Sequence, residues 1–323
     1  MNTILVTGGA GYIGSVLSRR LLNNGYNVKI YDNFSFTDNS IIDIKSNPNL
    51  EVINADIRDT KKLEEALTNT DYVIHLLAIV GDPACSQDPE LAEEINWTCS
   101  KNLFNMAIRN KSLKGFIFSS TCSNYGKMED EEYLDENSVL RPVSLYAKLK
   151  VRFENYILEH HENSNAFVTS LRFATAYGLS PRMRFDLTVN EFVRELTLGN
   201  ELLVYGEHFW RPYCHTEDIS KACELIIKSD FAKVNNQVFG VGHTDENYTK
   251  EMLVNEINTI IPNINVKYVK KIEDPRDYKV DFSKIKNLGF QNDYNLIDGV
   301  REIHKALLND DIANPYSDLY KNS

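Results

Sequence analysis

The stretch VTGGAGYIGS, Val6 to Ser15, follows the apolar run Thr3-Ile4-Leu5 and opens an apolar-periodic segment. Glycine costs conformational entropy and packs poorly, so a cluster of glycines between a strand and a helix marks a demand for bare backbone. The spacing Gly8-x-x-Gly11-x-x-Gly14 states that demand. The first glycine serves a tight turn, the second lets a pyrophosphate approach the main chain, and the third lets helix and strand pack closely. The helix start supplies free amides and the positive end of its dipole.

Outward from this loop, the runs 3–7, 28–32, 51–56, 72–78, 115–120 and 167–173 read as buried strands. Apolar stripes at helical spacing lie between them, among them Ile13-Leu17-Leu21 and Leu91-Ile95-Cys99-Leu103. The alternation predicts an α/β fold, a Rossmann-type doubly wound parallel sheet. Asp32 ends the second strand, 18 residues past Gly14, where a carboxylate accepts ribose hydroxyls. It would repel a 2′-phosphate, and no lysine or arginine lies between Asp32 and Ile44 to offset it, so NAD is expected over NADP. Asp56-Ile57, after the third strand, is placed near the adenine, although an aspartate there also serves as a simple cap.

Composition bounds the rest. A net charge of −11 argues against nucleic acid or an anionic membrane as partner. The five cysteines, Cys85, Cys99, Cys122, Cys214 and Cys223, show no C-x-x-C spacing, which reads as reduced thiols with neither a disulfide framework nor a metal site. No apolar run approaches the ~20 residues of a membrane span, and the first strand begins at once, so a cytoplasmic location is expected. The alternation loosens after Gly178. The expected division is a nucleotide-binding domain of residues 1–178 plus about 212–242, and a smaller α/β domain of about 179–211 plus 243–323. The strand INVKYV (264–269) and helix LIDGVREIHKALL (296–308) fall in the latter, and the last dozen residues read as a frayed end.

Chemistry is expected near the carboxyl ends of the strands. SSTCSNYG (119–126) places hydroxyls there, and Tyr146-x-x-x-Lys150 puts a phenol and an ammonium on one helix face. Two cations, the ammonium and a nicotinamide ring, favour the phenolate; lowering a tyrosine by three pKa units takes ~4 kcal/mol. In this order and spacing the chain resembles the extended short-chain dehydrogenase/reductase family, specifically its nucleotide-sugar epimerases and dehydratases. The resemblance rests on Gly8, Gly11, Gly14, Asp32, Asp56-Ile57, HLLA (75–78), Asn96, Thr121, Tyr146 and Lys150. It continues through LRFATAYG (171–178), with Thr175 where asparagine is usual, RPYCHTED (211–218) and DPRDY (274–278).

The resemblance implies a catalytic set of Thr121, Tyr146 and Lys150. It implies NAD contacts from Gly8, Gly11, Tyr12, Ile13, Gly14, Asp32, Asn33, Asp56, Ile57, Leu77, Ala78, Asn96, Ser119, Tyr146 and Lys150. Nucleotide-sugar contacts are implied for Thr121, Ser123, Thr175, Asn190, Arg211, Arg276 and Tyr278, with the two arginines on the diphosphate. For Arg184, Arg211 and Arg276 the plainer alternative is pairing with surface carboxylates. His75 reads as a pocket wall rather than a base, and Asp218 as a turn-fixing residue. Dehydratase relatives resemble one another in a Thr-Asp-Glu run where this chain has Thr121-Cys122-Ser123. A 4,6-elimination therefore lacks its carboxylates. The expected activity is a 4-epimerase working through transient C4 oxidation, in surface-polysaccharide sugar synthesis. A C4 dehydrogenase or 4-keto-sugar reductase uses the same residues, and a non-catalytic NAD-binding regulator shares the fold. The resemblance also implies a homodimer.

Overall fold

The computed structural model describes residues 1–128, 132–161, 164–270 and 276–322. In chain order its strands are β1 (Thr3–Thr7), β2 (Asn27–Asp32), β3 (Leu50–Asn54), β4 (Tyr72–His75), β5 (Gly115–Thr121), β6 (Tyr133–Leu134) and β7 (Phe167–Phe173). They continue as β8 (Thr175–Tyr177), β9 (Glu201–Tyr205), β10 (Trp210–His215), β11 (Gln237–Val241), β12 (Asn247–Thr249), β13 (Asn265–Val269) and β14 (Lys279–Val280).

The main sheet has seven parallel strands in the order β11-β7-β5-β4-β1-β2-β3. All six strands expected from the apolar runs take part, and β11 joins beyond β7. Because crossovers cover both faces, the central strands are apolar on each side. Ile4, Val6, Ile74 and Ile117 pack on one face, and Leu5, Val73, Phe116 and Phe118 on the other. The chain order reverses direction at β1, so β1 and β4 diverge into the crevice where such sheets bind ligands, at the strands' carboxyl ends.

Smaller pieces complete the architecture: the sheet β12-β10-β8 and the strand pairs β13-β9 and β14-β6. A third apolar cluster runs from Tyr177 through Met183, Phe192, Leu253 and Val300 to Leu307, and takes in Tyr12 of the first helix. Within the second sheet β8 and β10 run parallel, Tyr213 opposite Thr175. The helix read at 296–308 is present as Leu296–Leu308, closed at its start by a capping box between Asn295 and Asp298.

One expectation is refined and one corrected. The stripe Leu91-Ile95-Cys99-Leu103 is helical, but Glu94–Cys99 is a wider π-helical turn, with Ser100 Oγ donating to Ile95 O at 3.0 Å. The chain's end is docked rather than frayed. Phe185 N donates to Tyr320 O at 2.8 Å, Arg182 to Lys321 O at 3.1 Å and Arg194 to Pro315 O at 3.3 Å. Aromatic residues spaced through a polar tail supply that docking: Tyr316 and Tyr320 meet Arg194 and Phe185. Among the described residues no helix is long and apolar enough to cross a membrane.

Candidate active site

The glycine loop leaves β1 and enters the helix Tyr12–Asn23. Gly8 sits at φ +74, a region L-residues avoid, and a Cβ there would stand 2.9 Å from Leu77 N. At Gly14 a Cβ would lie 2.0 Å from Gly8 O, so this glycine lets the helix pack on the loop. Gly11 differs. Its φ of −74 suits any residue, and a Cβ would meet only Gly8 O at 3.2 Å. The fold makes a mild demand there, and close approach of a ligand accounts for the missing side chain. Gly11 caps the helix with no side-chain bond and no acid follows in the first turn, which leaves the dipole's positive end suited to a pyrophosphate. This cradle fits NAD.

Asp32 stands at the end of β2, its carboxylate accepting from Ala10 N at 3.0 Å and Phe34 N at 2.9 Å. Burial raises its pKa, with those amides opposing. A cation hidden from the sequence reading lies nearby. Arg182, buried, stacks its guanidinium 3.9 Å over the Phe36 ring and attracts Asp32. Neutralisation that is absent between Asp32 and Ile44 arrives from far along the chain, because the loop after β8 folds back beside β2. Asp56 pairs with Arg58 through two bonds of 2.8 Å, and its carboxyl is held down to about 2, chiefly by that guanidinium. Asn33 reaches the same carboxylate. Ile57 is buried, Ile13 packs between two apolar clusters, and Leu77 and Ala78 lie in the loop just past β4.

Several residues expected at the cofactor also hold the backbone around its place in the fold. Asn96 grips Ile79, its Oδ1 accepting from Ile79 N at 2.8 Å and its Nδ2 donating to Ile79 O at 2.9 Å. Ser119 Oγ donates to His75 O at 2.9 Å, while its carbonyl accepts from Lys150 Nζ at 2.7 Å. Tyr12 donates its hydroxyl to Gly178 O at 2.6 Å. Each sits at the right place in the fold, but its polar atoms are committed inside the protein. His75 is locked between Thr7 Oγ1 at 2.7 Å and Ser100 Oγ at 2.9 Å, and burial pushes it down to about 3. It is a neutral core residue.

Tyr146 and Lys150 share the inner face of the helix Leu145–Glu159, which begins with Ser144 accepting from Ala147 N. Lys150 Nζ lies 5.7 Å from the Tyr146 ring centroid, and burial pushes its ammonium down to about 7. Burial also raises the Tyr146 phenol; the Arg184 guanidinium opposes, and Cys85 and Asp82 add to the rise. The expectation of a lowered phenol is thus not met by the protein's own groups, because desolvation outweighs the cations they provide. Thr121 ends β5 and accepts from Ser123 N at 3.1 Å. Ser123 reaches the hydroxyl of Tyr278, a buried ring that faces Tyr125 at 6.1 Å. Cys122 points away, its Sγ donating to Arg172 O at 3.3 Å, and burial raises its thiol far above the usual range.

On the substrate side, Arg211 places its guanidinium 5.2 Å from the Tyr278 ring centroid and donates to Trp210 O at 2.6 Å. Asp277 accepts from Trp210 N at 2.8 Å, fixing the loop that bears Arg276 and Tyr278. Asp274 and Pro275 of the DPRDY run lie outside the described residues. Arg276 pairs with Asp82 at 3.0 Å, and Arg184 grips Asp186 through bonds of 3.0 and 2.6 Å. Thr175 is partly buried at the start of β8. Asn190, expected as a substrate amide, holds backbone in this structure. It is fully buried and spends its carboxamide on Gly178 N, Tyr12 Oη and Arg184 O. Asp218 holds the turn at Asp293 and Tyr294, accepting from both amides.

Sequence reasoning missed Asp82 and Cys85, on the short helix Asp82–Gln87. Cys85 packs with Leu149, Ile79 and Tyr146. The available signal was position: Gly81-Asp82-Pro83 follows the carboxyl end of β4, one of the strands flanking the crevice.

Known proteins align along nearly the whole of this architecture. A UDP-N-acetyl-alpha-D-glucosaminuronate decarboxylase of Bacillus cytotoxicus is 30% identical over 259 residues, covering 77% of both chains. A putative UDP-glucose 4-epimerase of Methanocaldococcus jannaschii is 28% identical over 313 residues, 93% of this chain and 96% of its own. A UDP-N-acetylglucosamine 4-epimerase of Methanobrevibacter ruminantium, solved with UDP-N-acetylmuramic acid, superposes with a TM-score of 0.86 at 27% identity. It covers 96% of this chain and 99% of that one. The model of the NAD dependent epimerase/dehydratase family matches residues 4–242, which hold the glycine loop, Asp32, Tyr146 and Lys150. The chain belongs to that NAD-dependent family.

Proposed function

We propose that this protein is an NAD-dependent nucleotide-sugar 4-epimerase. The observation that carries the reading is the pairing of a complete Tyr146–Lys150 set with a β5 terminus that holds no usable acid. Thr121 and Ser123 are hydroxyls, and the Cys122 thiol is buried, turned away and held protonated. Such a site suits removal and return of hydrogen at one carbon, and lacks a group to protonate a departing C6 oxygen. The putative 4-epimerase and the N-acetylglucosamine 4-epimerase among the relatives support the same choice.

In this reading Thr121 and Tyr146 bind the C4 hydroxyl, and Tyr146 accepts its proton as the C4–H bond breaks. NAD, when bound, supplies the hydride acceptor and then the donor. Lys150, anchored on Ser119 O, holds the ribose end and its charge offsets the phenolate. The 4-keto sugar would turn within the cleft to offer its opposite face to the bound cofactor, and Tyr146 would give the proton back. Arg211, beside the Tyr278 ring, holds the diphosphate through charge-assisted bonds, while Arg276, expected to join it, pairs with Asp82. A net C4 oxidoreductase uses the same residues and differs only in releasing the keto sugar. Surface-polysaccharide synthesis in the cytoplasm, and pairing of two copies, remain part of the proposal.

The test is product analysis. The NAD-loaded protein is incubated with UDP-, GDP-, CDP- and dTDP-hexoses and the sugars are read by NMR. The C4 epimer forms without stoichiometric NADH if the reading is right. Accumulation of NADH with a keto sugar gives the oxidoreductase, and a 4-keto-6-deoxy product gives the dehydratase.

A further inference from the structure

We propose that Asp82 sets the charge of the sugar: the site accepts nucleotide sugars with an uncharged pyranose and turns away hexuronic acids. The inference rests on the 4-epimerase reading for one point, that the C4 hydroxyl meets Tyr146.

Asp82 is the first residue of the helix Asp82–Gln87. The loop before it is fixed by the two bonds from Asn96 to Ile79. One turn on, Cys85 belongs with Leu149 to a small apolar cluster on which Tyr146 packs, and the Asp82 charge acts on the Tyr146 phenol, so the start of this helix lies near the catalytic tyrosine. The Asp82 carboxylate takes Arg276 at 3.0 Å, and Arg276 belongs to the loop pinned by Asp277 beside the buried Tyr278 ring. The ion pair therefore links the two walls of the cleft next to Tyr146, with the negative end on the Tyr146 side.

A hexuronic acid carries its carboxylate on C5, the carbon bonded to C4. With the C4 hydroxyl at Tyr146, that carboxylate falls into the surroundings of Asp82, and two carboxylates in a desolvated cleft oppose one another. The guanidinium best placed to offset it, Arg276, already serves Asp82, and Arg184 already serves Asp186. A hydroxymethyl group brings no such conflict, and its hydroxyl can donate to a carboxylate. Specificity then comes from a repulsive element, which rejects one substrate class without having to bind the other tightly.

The experiment uses the NAD-loaded full chain and two matched pairs, UDP-glucose against UDP-glucuronic acid and GDP-mannose against GDP-mannuronic acid. Competition binding and turnover are both measured. The wild type favours the neutral member of the pair it binds by about tenfold or more. Asp82→Asn, which keeps the side chain's shape, shrinks that ratio by about tenfold, and Arg276→Ala, which leaves Asp82 unpaired, widens it. Glu90→Gln, the same charge change at an exposed site on the next helix, leaves the ratio unmoved. Equal or better binding of the uronic acid by the wild type overturns the proposal. So does an unchanged ratio in folded, NAD-retaining Asp82→Asn, or failure of both neutral sugars to bind. A ratio that shifts while no C4 epimer forms sinks the epimerase reading and leaves Asp82's role standing; an epimer with an unmoved ratio does the reverse.

Discussion

Tyr146 is the residue on which the proposed chemistry turns. Tyr146→Phe keeps the ring that packs against Cys85 and removes the proton acceptor, so turnover falls by ~10²–10⁴ while NAD content is unchanged. Near-normal turnover would remove the mechanism. His75 makes a second prediction at this scale. Its folded pKa is lowered to about 3 by burial, against ~6.5 for an unfolded chain. The unfolded state binds a proton below ~6.5 that the folded state refuses until about 3. Stability is therefore full above that upper value and is lost as pH falls through the window, by up to ~1.4 kcal/mol per pH unit. His75→Asn removes this component, so urea unfolding between pH 4.5 and 6.5 shows a slope smaller by about one proton. An identical slope would mean His75 is not buried neutral. The pair Tyr146-x-x-x-Lys150 was legible because helical periodicity alone puts both on one face. Asp82 and Arg182 were not, since each acquires its role from a partner more than a hundred residues away.

At the scale of elements, the glycine loop and the segment 178–190 act as one joint. Tyr12 Oη donates to Gly178 O, and Asn190 bonds Tyr12 Oη, Gly178 N and Arg184 O. Asn190→Ala leaves buried polar groups unmatched and costs ~1–3 kcal/mol of stability in urea unfolding. The apparent substrate constant of the folded fraction stays within about threefold, because the side chain spends its bonds inside the protein. A large rise in that constant without loss of stability would restore Asn190 to the substrate. Gly14→Ala places a methyl 2.0 Å from Gly8 O, so the helix must lift from the loop, and NAD retention and thermal stability fall together. The loop was readable because its demand is local. The internal bonds of Asn190 were not readable, because an amide in that segment looks the same in sequence whether it faces a ligand or a backbone.

Across the whole molecule, the fold returns distant segments to one crevice. Six strands of the main sheet follow from apolar runs, whereas β8 and β12 are short and join β10 only through tertiary packing, so that sheet was not foreseeable. Arg182 exemplifies the consequence for function. It comes from beyond β8 to stand by Asp32, and its carbonyl partner Lys321 lies in the docked chain end. Asp32→Ala removes the acceptor and leaves the Arg182 guanidinium in place, so NAD affinity drops and NADP affinity rises; titration with both cofactors checks this, and a parent that already prefers NADP would contradict the charge argument. The central claim is that one hydrogen leaves C4 and the same hydrogen returns to its other face. Deuterium placed at C4 of the preferred nucleotide sugar tests it most directly. The account predicts that the epimer retains the label at C4, with none in solvent and none in free NADH. Label lost to water, or carried off in released cofactor, would contradict it.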